Sequence, residues 1–317
     1  MLSRTADHLF WMSRYIERAE NMARLLDVTW QMSMLPQSQA AANQNWNAVL
    51  MLNSLEQEFA ARHRETNAEN VLDFMISDAS NPASIHSCLR MARENAHTVR
   101  GTITTEMWET MNATWLKARE QSFTRQGLSG IGEFFEWVKI RSSLSRGVTL
   151  GTLLQDDAYN FIRLGTLLER ADNTARILDV KYHVLQGEDS EEGGVADLYQ
   201  WGALLRSVSA FEVYRKVYRD VITPERVTEL LILRKDMPRS LLFCMNGVIK
   251  TLALLSNRNS SETERMAGRL QSLLHYMRID DIHQQGLHEF LEDFLERINT
   301  VGNGVSQDFL IPLLDAA

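Results

Sequence analysis

Hydrophobic positions along this chain recur mainly at helical spacing. Near the amino terminus, Leu9, Ile16, Ala19, Ala23 and Leu26 fall on one side of a helix, and no segment sustains the period-two alternation of a half-buried strand. Asn81–Pro82 and Thr223–Pro224 each look like a helix N-cap followed by proline in the first turn. The pattern predicts an all-α chain with helices at about 4–33, 44–63, 68–77, 82–111, 112–126, 130–149, 154–185, 196–219 and 224–234.

The chain also contains an internal repeat. Residues 16–28 read IERAENMARLLDV and residues 168–180 read LERADNTARILDV, with nine of thirteen positions identical. Further pairs follow at one constant offset, among them Pro82 with Pro238, Ser84 with Ser240 and Cys88 with Cys244. We therefore expect a multi-helix bundle built by tandem duplication, with repeats 1–152 and 153–317 packed as one domain about a pseudo-two-fold axis.

The repeated motif carries the candidate chemistry. At about 100° per residue its polar side chains share one helix face, whereas the motif arginines Arg18 and Arg170 lie off that face and should reach a neighbouring helix. Two interpretations stay open: a solvated, salt-bridged face or a buried polar network, and survival of the pattern in both halves favours the network. The candidate residues for a ligand site or structural network are Glu17, Arg18, Glu20, Asn21, Arg24, Glu169, Arg170, Asp172, Asn173 and Arg176.

Charge and cysteine content narrow the function classes. A formal net charge of −8 lacks the basic footprint that nucleic acid or an anionic membrane requires, and no apolar run approaches membrane-spanning length. We expect neither partner, and a cytoplasmic location. Cys88 and Cys244 are predicted to be buried core residues rather than a disulfide or a zinc site. The glycine-rich, acidic segment 186–197 is predicted to be a surface loop.

Metal and nucleotide chemistry find little support in the sequence. The Glu-x-x-His spacing of carboxylate metal sites occurs only at Glu94 and His97, without a counterpart in the second half. Arg24 and Arg176 would compete with a cation for the nearby carboxylates. No P-loop, G-x-S-x-G, HExxH or dinucleotide glycine pattern is present. We therefore expect no metal and no cofactor on this chain.

Five motifs in order resemble the bacterial alpha-E family, an all-helical domain named for its Glu-Arg motif. They are YIERAENMARLL, ARENAxxVR at 92–100, EMWE at 106–109, LLERADNTARIL and MPRS at 237–240. Carried over, the Glu-Arg signature falls on Glu17 with Arg18 and on Glu169 with Arg170.

The resemblance implies a functional context rather than a reaction. Alpha-E proteins are typically encoded beside, or fused to, a circularly permuted ATP-grasp ligase, often with transglutaminase-like and proteasome-like proteins of the same operon. The expected function is a non-catalytic partner subunit that docks an amide or peptide ligase and completes or caps its substrate site, with ATP and Mg only on the ligase. Trp108, Trp115 and Trp137 are candidate anchors for such an interface. The alternative is an enzyme or an amino-acid or peptide binder whose polar pocket is lined by the two Glu-Arg helices.

Overall fold

A computed structural model describes residues 1–34, 38–120, 130–185 and 195–310. Over these ranges the chain is α-helical and contains no strand, which confirms the all-α prediction. None of the helices described is long and apolar enough to cross a membrane. The elements are α1 Ser3–Ser33, α2 Gln39–Leu52, α3 Glu56–Ala60, α4 Ala68–Ile76, α5 Ile85–Thr98, α6 Thr105–Glu120, α7 Ile131–Thr152, α8 Asp157–Leu185, α9 Val195–Ser207, α10 Phe211–Tyr218, α11 Pro224–Ile232, α12 Leu241–Leu255, α13 Ser261–Tyr276, α14 Ile279–Gln285, α15 Leu287–Val305 and a π-helical turn Ser306–Leu310.

The long helices α1 and α8, which carry the two copies of the motif, pack against each other at the centre of the bundle. α1 also packs on α5 and α7, and α8 packs in the same way on α12 and α15. Ile16, Ala19, Ala23 and Leu26 are buried as the sequence pattern predicts, but the polar side of α1 is buried as well. α1 is therefore enclosed by protein on both its apolar and its polar side along the motif.

Two of the glycines permit this close packing. A Cβ atom on Gly165 of α8 would collide with the backbone carbonyl of Phe10 and with the Ser13 hydroxyl on α1. A Cβ atom on Gly247 of α12 would collide with the Leu167 side chain of α8. Any larger residue at Gly165 would push apart the two helices that carry the motif.

Several helix boundaries differ from the prediction. Thr223 caps α11 ahead of Pro224 as expected, because its side chain accepts from the Arg226 amide at 3.4 Å. The prediction for Pro82 was wrong: α5 begins at Ile85, and its cap is the Ser84 hydroxyl, which accepts from the Ser87 amide at 3.2 Å. The helices predicted at 44–63, 82–111 and 196–219 are each divided in two, at 53–55, 99–104 and 208–210.

Other sequence predictions have mixed outcomes. Cys88 and Cys244 are buried free thiols, as predicted, and burial raises the pKa of each to about 12. The end of the helix predicted at 112–126 and most of the predicted loop at 186–197 lie outside the described residues, and α9 begins within that loop at Val195. The predicted repeat boundary falls between the end of α7 and the start of α8.

Candidate functional site

The Glu-Arg motifs of the two long helices pair with each other. Arg18 on α1 donates to Glu169 on α8 from Nε at 2.6 Å and from Nη2 at 2.9 Å. Arg170 on α8 donates in the same way to Glu17 on α1, from Nε at 2.8 Å and from Nη2 at 3.0 Å. Each copy of the motif therefore supplies the carboxylate that neutralises the arginine of the other copy, through a two-bond contact of the strongest kind that side chains form.

Two further arginines donate hydrogen bonds to Glu17 and to its neighbour Glu20. Arg239, 5% exposed in the turn before α12, donates to Glu17 at 3.1 Å, to Glu20 at 2.9 Å and to Asn21 at 2.8 Å. Arg146 on α7 donates to both carboxylates, and its contact with Glu20 is the closer. Ser142 and Arg24 complete the shell of Glu20, at 2.7 and 2.9 Å.

The Glu169 side is less completely filled. Among the residues that the structure describes, Arg14 is the one arginine besides Arg18 that donates to Glu169, from Nε at 2.8 Å. The neighbouring Asp172 pairs with Arg176 on its own helix at 2.8 Å and is half-buried, whereas its counterpart Glu20 is fully buried.

These contacts determine how the buried carboxylates ionise. Burial opposes the charged form of Glu17, but Arg170 and Arg239 outweigh it and lower the pKa of that carboxyl below its ordinary value. The pKa of Glu20 is lowered in the same way, against burial, by Arg239 and Arg146. For Glu169, Arg18 and Arg14 overcome burial and lower the pKa. All three carboxylates are anions at neutral pH and poor general bases.

Two cavities flank the contact between α1 and α8. One, of about 390 Å³, is lined by Glu17, Arg146, Arg170 and Arg163 together with apolar side chains of α1, α7 and α8. The other, of about 280 Å³, is lined mainly by polar groups: Arg18, Asn21, Asn53, Ser54, Glu169, Asp172, Asn173 and Arg176. Eight of the ten predicted site residues line one of these two cavities, and Glu20 and Arg24 line neither.

Sequence reasoning missed four polar side chains of this network: Arg14, Ser142, Arg146 and Arg239. The sequence repeat could not reveal three of them, because at the offset that relates Pro82 to Pro238, the residues Ser142, Arg146 and Arg239 correspond to Ile298, Gly302 and Ala83. The MPRS motif at 237–240 contained the signal for Arg239. Trp108, Trp115 and Trp137 are half-buried and pack against the core. Within the described ranges, no group of three or more His, Cys, Asp or Glu side chains is placed to hold a metal ion.

The fold and this network define a class: all-helical proteins whose two central helices exchange buried Glu-Arg pairs. Residues 1–310 match the Alpha-E family, described as a predicted alpha-helical domain with a conserved ER motif, and the chain belongs to that family. It is 22% identical over 318 aligned positions to the uncharacterized proteins Mb2597 of Mycobacterium bovis and Rv2567 of Mycobacterium tuberculosis. Each alignment covers 93% of this chain and 35% of the relative. No solved structure matches the chain.

Proposed function

We propose that this protein is a non-catalytic partner subunit of an ATP-grasp amide or peptide ligase, which docks the ligase and completes or caps its substrate site. ATP and Mg would bind to a circularly permuted ATP-grasp protein, and transglutaminase-like and proteasome-like proteins are further candidate partners. The family context that the Glu-Arg motifs imply is the origin of this proposal.

The length of the relatives supports a function in association with another protein. This chain spans about a third of the length of the curated relatives that it matches, while the alignment covers nearly all of the chain. In those relatives the Alpha-E domain is therefore one part of a longer polypeptide. When two domains are fused in one polypeptide in some proteins, the same two domains commonly associate when they are encoded as separate chains.

The chemistry of the motif supports a scaffolding role for Glu17 and Glu20. Both carboxylates are at most 1% exposed and are held as anions by surrounding arginines. A group whose pKa is far below neutral and whose oxygens already accept several hydrogen bonds has little capacity to take a proton from a substrate. The motif is thus suited to fixing the relative position of α1 and α8.

A surface along α7 is the docking site that we propose for the ligase. Ile140, Leu144 and Leu150 on this helix are 56%, 41% and 62% exposed, and Leu154 just beyond its end is 76% exposed. Leu116 on the neighbouring α6 is 41% exposed. Exposed leucine and isoleucine side chains that follow one helix are candidates for an interaction surface.

The test is to mix the purified protein with a circularly permuted ATP-grasp protein and to measure elution volume and amine-dependent ADP release. We expect a heteromer and a rate that requires both proteins. Leu150→Asp should weaken both effects, whereas Leu254→Asp, which changes an equally exposed leucine on α12 at 62%, should not. An unchanged elution volume together with an unchanged rate would refute the proposal.

The cavities beside α1 and α8 favour a second candidate function, a binder or enzyme for an amino acid or peptide. Both cavities contain side chains from each motif helix, and both juxtapose carboxylate and guanidinium groups. Such a mixture suits a ligand that carries both an ammonium or guanidinium group and a carboxylate or carbonyl.

A further inference from the structure

The cavity of about 280 Å³ lies where the second half of the network lacks an arginine. At the constant offset that relates Pro82, Ser84 and Cys88 to Pro238, Ser240 and Cys244, the counterpart of Arg239 is Ala83. Ala83 lines this cavity. The methyl group of an alanine thus occupies the position from which, in the other half, a guanidinium enters the buried network.

The groups that would receive such a guanidinium are present around the cavity. Arg239 donates to Glu17 Oε1, Glu20 Oε1 and Asn21 Oδ1. The repeat counterparts of these three acceptors are Glu169, Asp172 and Asn173, and all three line the cavity.

The hydrogen bonds that Glu169 accepts also indicate a missing donor. Glu17 Oε1 accepts from both Arg170 and Arg239, at 2.8 and 3.1 Å. Among the described residues, Glu169 Oε1 accepts only from Arg18, at 2.6 Å. One acceptor position of this buried carboxylate therefore remains for a further donor.

The positive charges around the cavity do not exclude a cation. Arg239 lies close enough to Arg170 and Arg24 for their charges to lower its pKa, after the larger effect of burial, and it is bound nonetheless. The counterparts of these two arginines are Arg18 and Arg176, which line the cavity. A guanidinium entering there would lie beside two carboxylates and two arginines at the positions that correspond in the repeat to those around Arg239.

A second, independent observation concerns Asn21. It is 3% exposed and lines the cavity, and its Oδ1 accepts from Arg239. Its buried Nδ2 has no hydrogen-bond partner among the described residues. A buried donor of this kind is costly unless something accepts from it, so a ligand that offers an oxygen here gains a bond that the protein alone does not make.

We infer that this cavity binds a guanidino compound that also carries a carbonyl or carboxylate oxygen, as arginine does. The guanidinium bonds to Glu169, Asp172 and Asn173, and the oxygen accepts from Asn21 Nδ2. The volume is at the small end for ligand pockets and suits one amino acid. This inference rests on the second candidate function and not on partnership with a ligase.

The ligand arms of the test use the isolated protein and isothermal titration calorimetry. L-arginine and N-acetyl-L-arginine amide represent a free amino acid and an arginine within a peptide. L-citrulline replaces the guanidinium by a neutral urea of the same shape and should bind roughly tenfold more weakly or worse. Saturable binding of the amide alone would identify a peptide source, and binding of free arginine alone a small-molecule source.

Substitutions in the protein test the same cavity, either by filling it or by removing one of its negative charges. Ala83→Arg places a guanidinium of the protein itself in the cavity. It should raise the melting temperature above that of Ala83→Met, whose shorter side chain is unbranched and uncharged, and it should abolish arginine binding. Asp172→Asn should weaken arginine binding while the protein stays folded. Equal binding of arginine and citrulline, arginine binding that persists in Ala83→Arg, or no saturable heat with any ligand would overturn the inference. None of these outcomes bears on the elution and ADP-release assay.

Discussion

Replacement of Glu17 by glutamine is the sharpest perturbation of the buried network. The carboxylate is 1% exposed and accepts hydrogen bonds from Arg170, Arg239 and Arg146. Glutamine keeps the shape but removes the charge, and its amide nitrogen would face a guanidinium donor. Because the buried Arg239, the largely buried Arg170 and the partly exposed Arg146 would lose a shared, buried counter-ion, Glu17→Gln should cost about 3–5 kcal/mol of unfolding free energy.

For a chain of this length that cost corresponds to a melting temperature lower by roughly 5–8 °C. The assay is a thermal melt, with a urea titration to obtain the free energy. The matched control is Glu262→Gln, which makes the same chemical change in an ion pair with Arg265 whose side chains are 58% and 49% exposed. It should leave the melting temperature and the urea midpoint essentially unchanged, because this ion pair is exposed to solvent. Equal effects of the two substitutions would refute the claim that the network holds the fold together.

Three further predictions follow from the same contacts. The pKa of Glu169 in the folded protein lies below its ordinary value of 4.5, so the carboxylate contributes fully to stability above pH 4.5 and loses this contribution as the pH falls through the folded pKa. Urea midpoints measured at decreasing pH should therefore fall, and they should fall less steeply in Glu169→Gln. Arg18→Ala should lower the free energy of unfolding, measured by urea titration, by about 2–4 kcal/mol; the loss is smaller than for a carboxylate left without any partner, because Arg14 still binds Glu169. An unchanged midpoint with lost function would instead indicate that Arg18 binds a ligand. Gly165→Ala should lower the melting temperature because its Cβ meets α1 backbone, whereas Gly147→Ala, which has open space, should be neutral or stabilising.

The repeat and the periodicity were sufficient to predict the helical class and to select Glu17, Arg18, Glu169 and Arg170. They succeed because a motif copied with its helix keeps the same spacing and the same apolar neighbours. They could not predict Arg146 or Arg239, since each occurs in one half only and donates across more than a hundred residues of sequence.

The interruption of the helix predicted at 44–63 was also missed. The break after α2 contains Ser54 with φ 55°, a left-handed conformation that residues other than glycine adopt uncommonly. No glycine or proline marks it in the sequence. Tertiary packing therefore decides the conformation there, and single-sequence reasoning has no access to packing.

The exchange of partners between α1 and α8 has a consequence for the order in which the chain is made. Glu17 emerges from the ribosome long before Arg239, which lies 222 positions later. At about 5–20 residues per second the delay is roughly 10–45 s. Of the three arginines that bind Glu17, Arg146 belongs to the amino-terminal half, but Arg170 and Arg239 are synthesised later. The contact between α1 and α8 therefore becomes native only after the second copy of the motif and Arg239 have been synthesised.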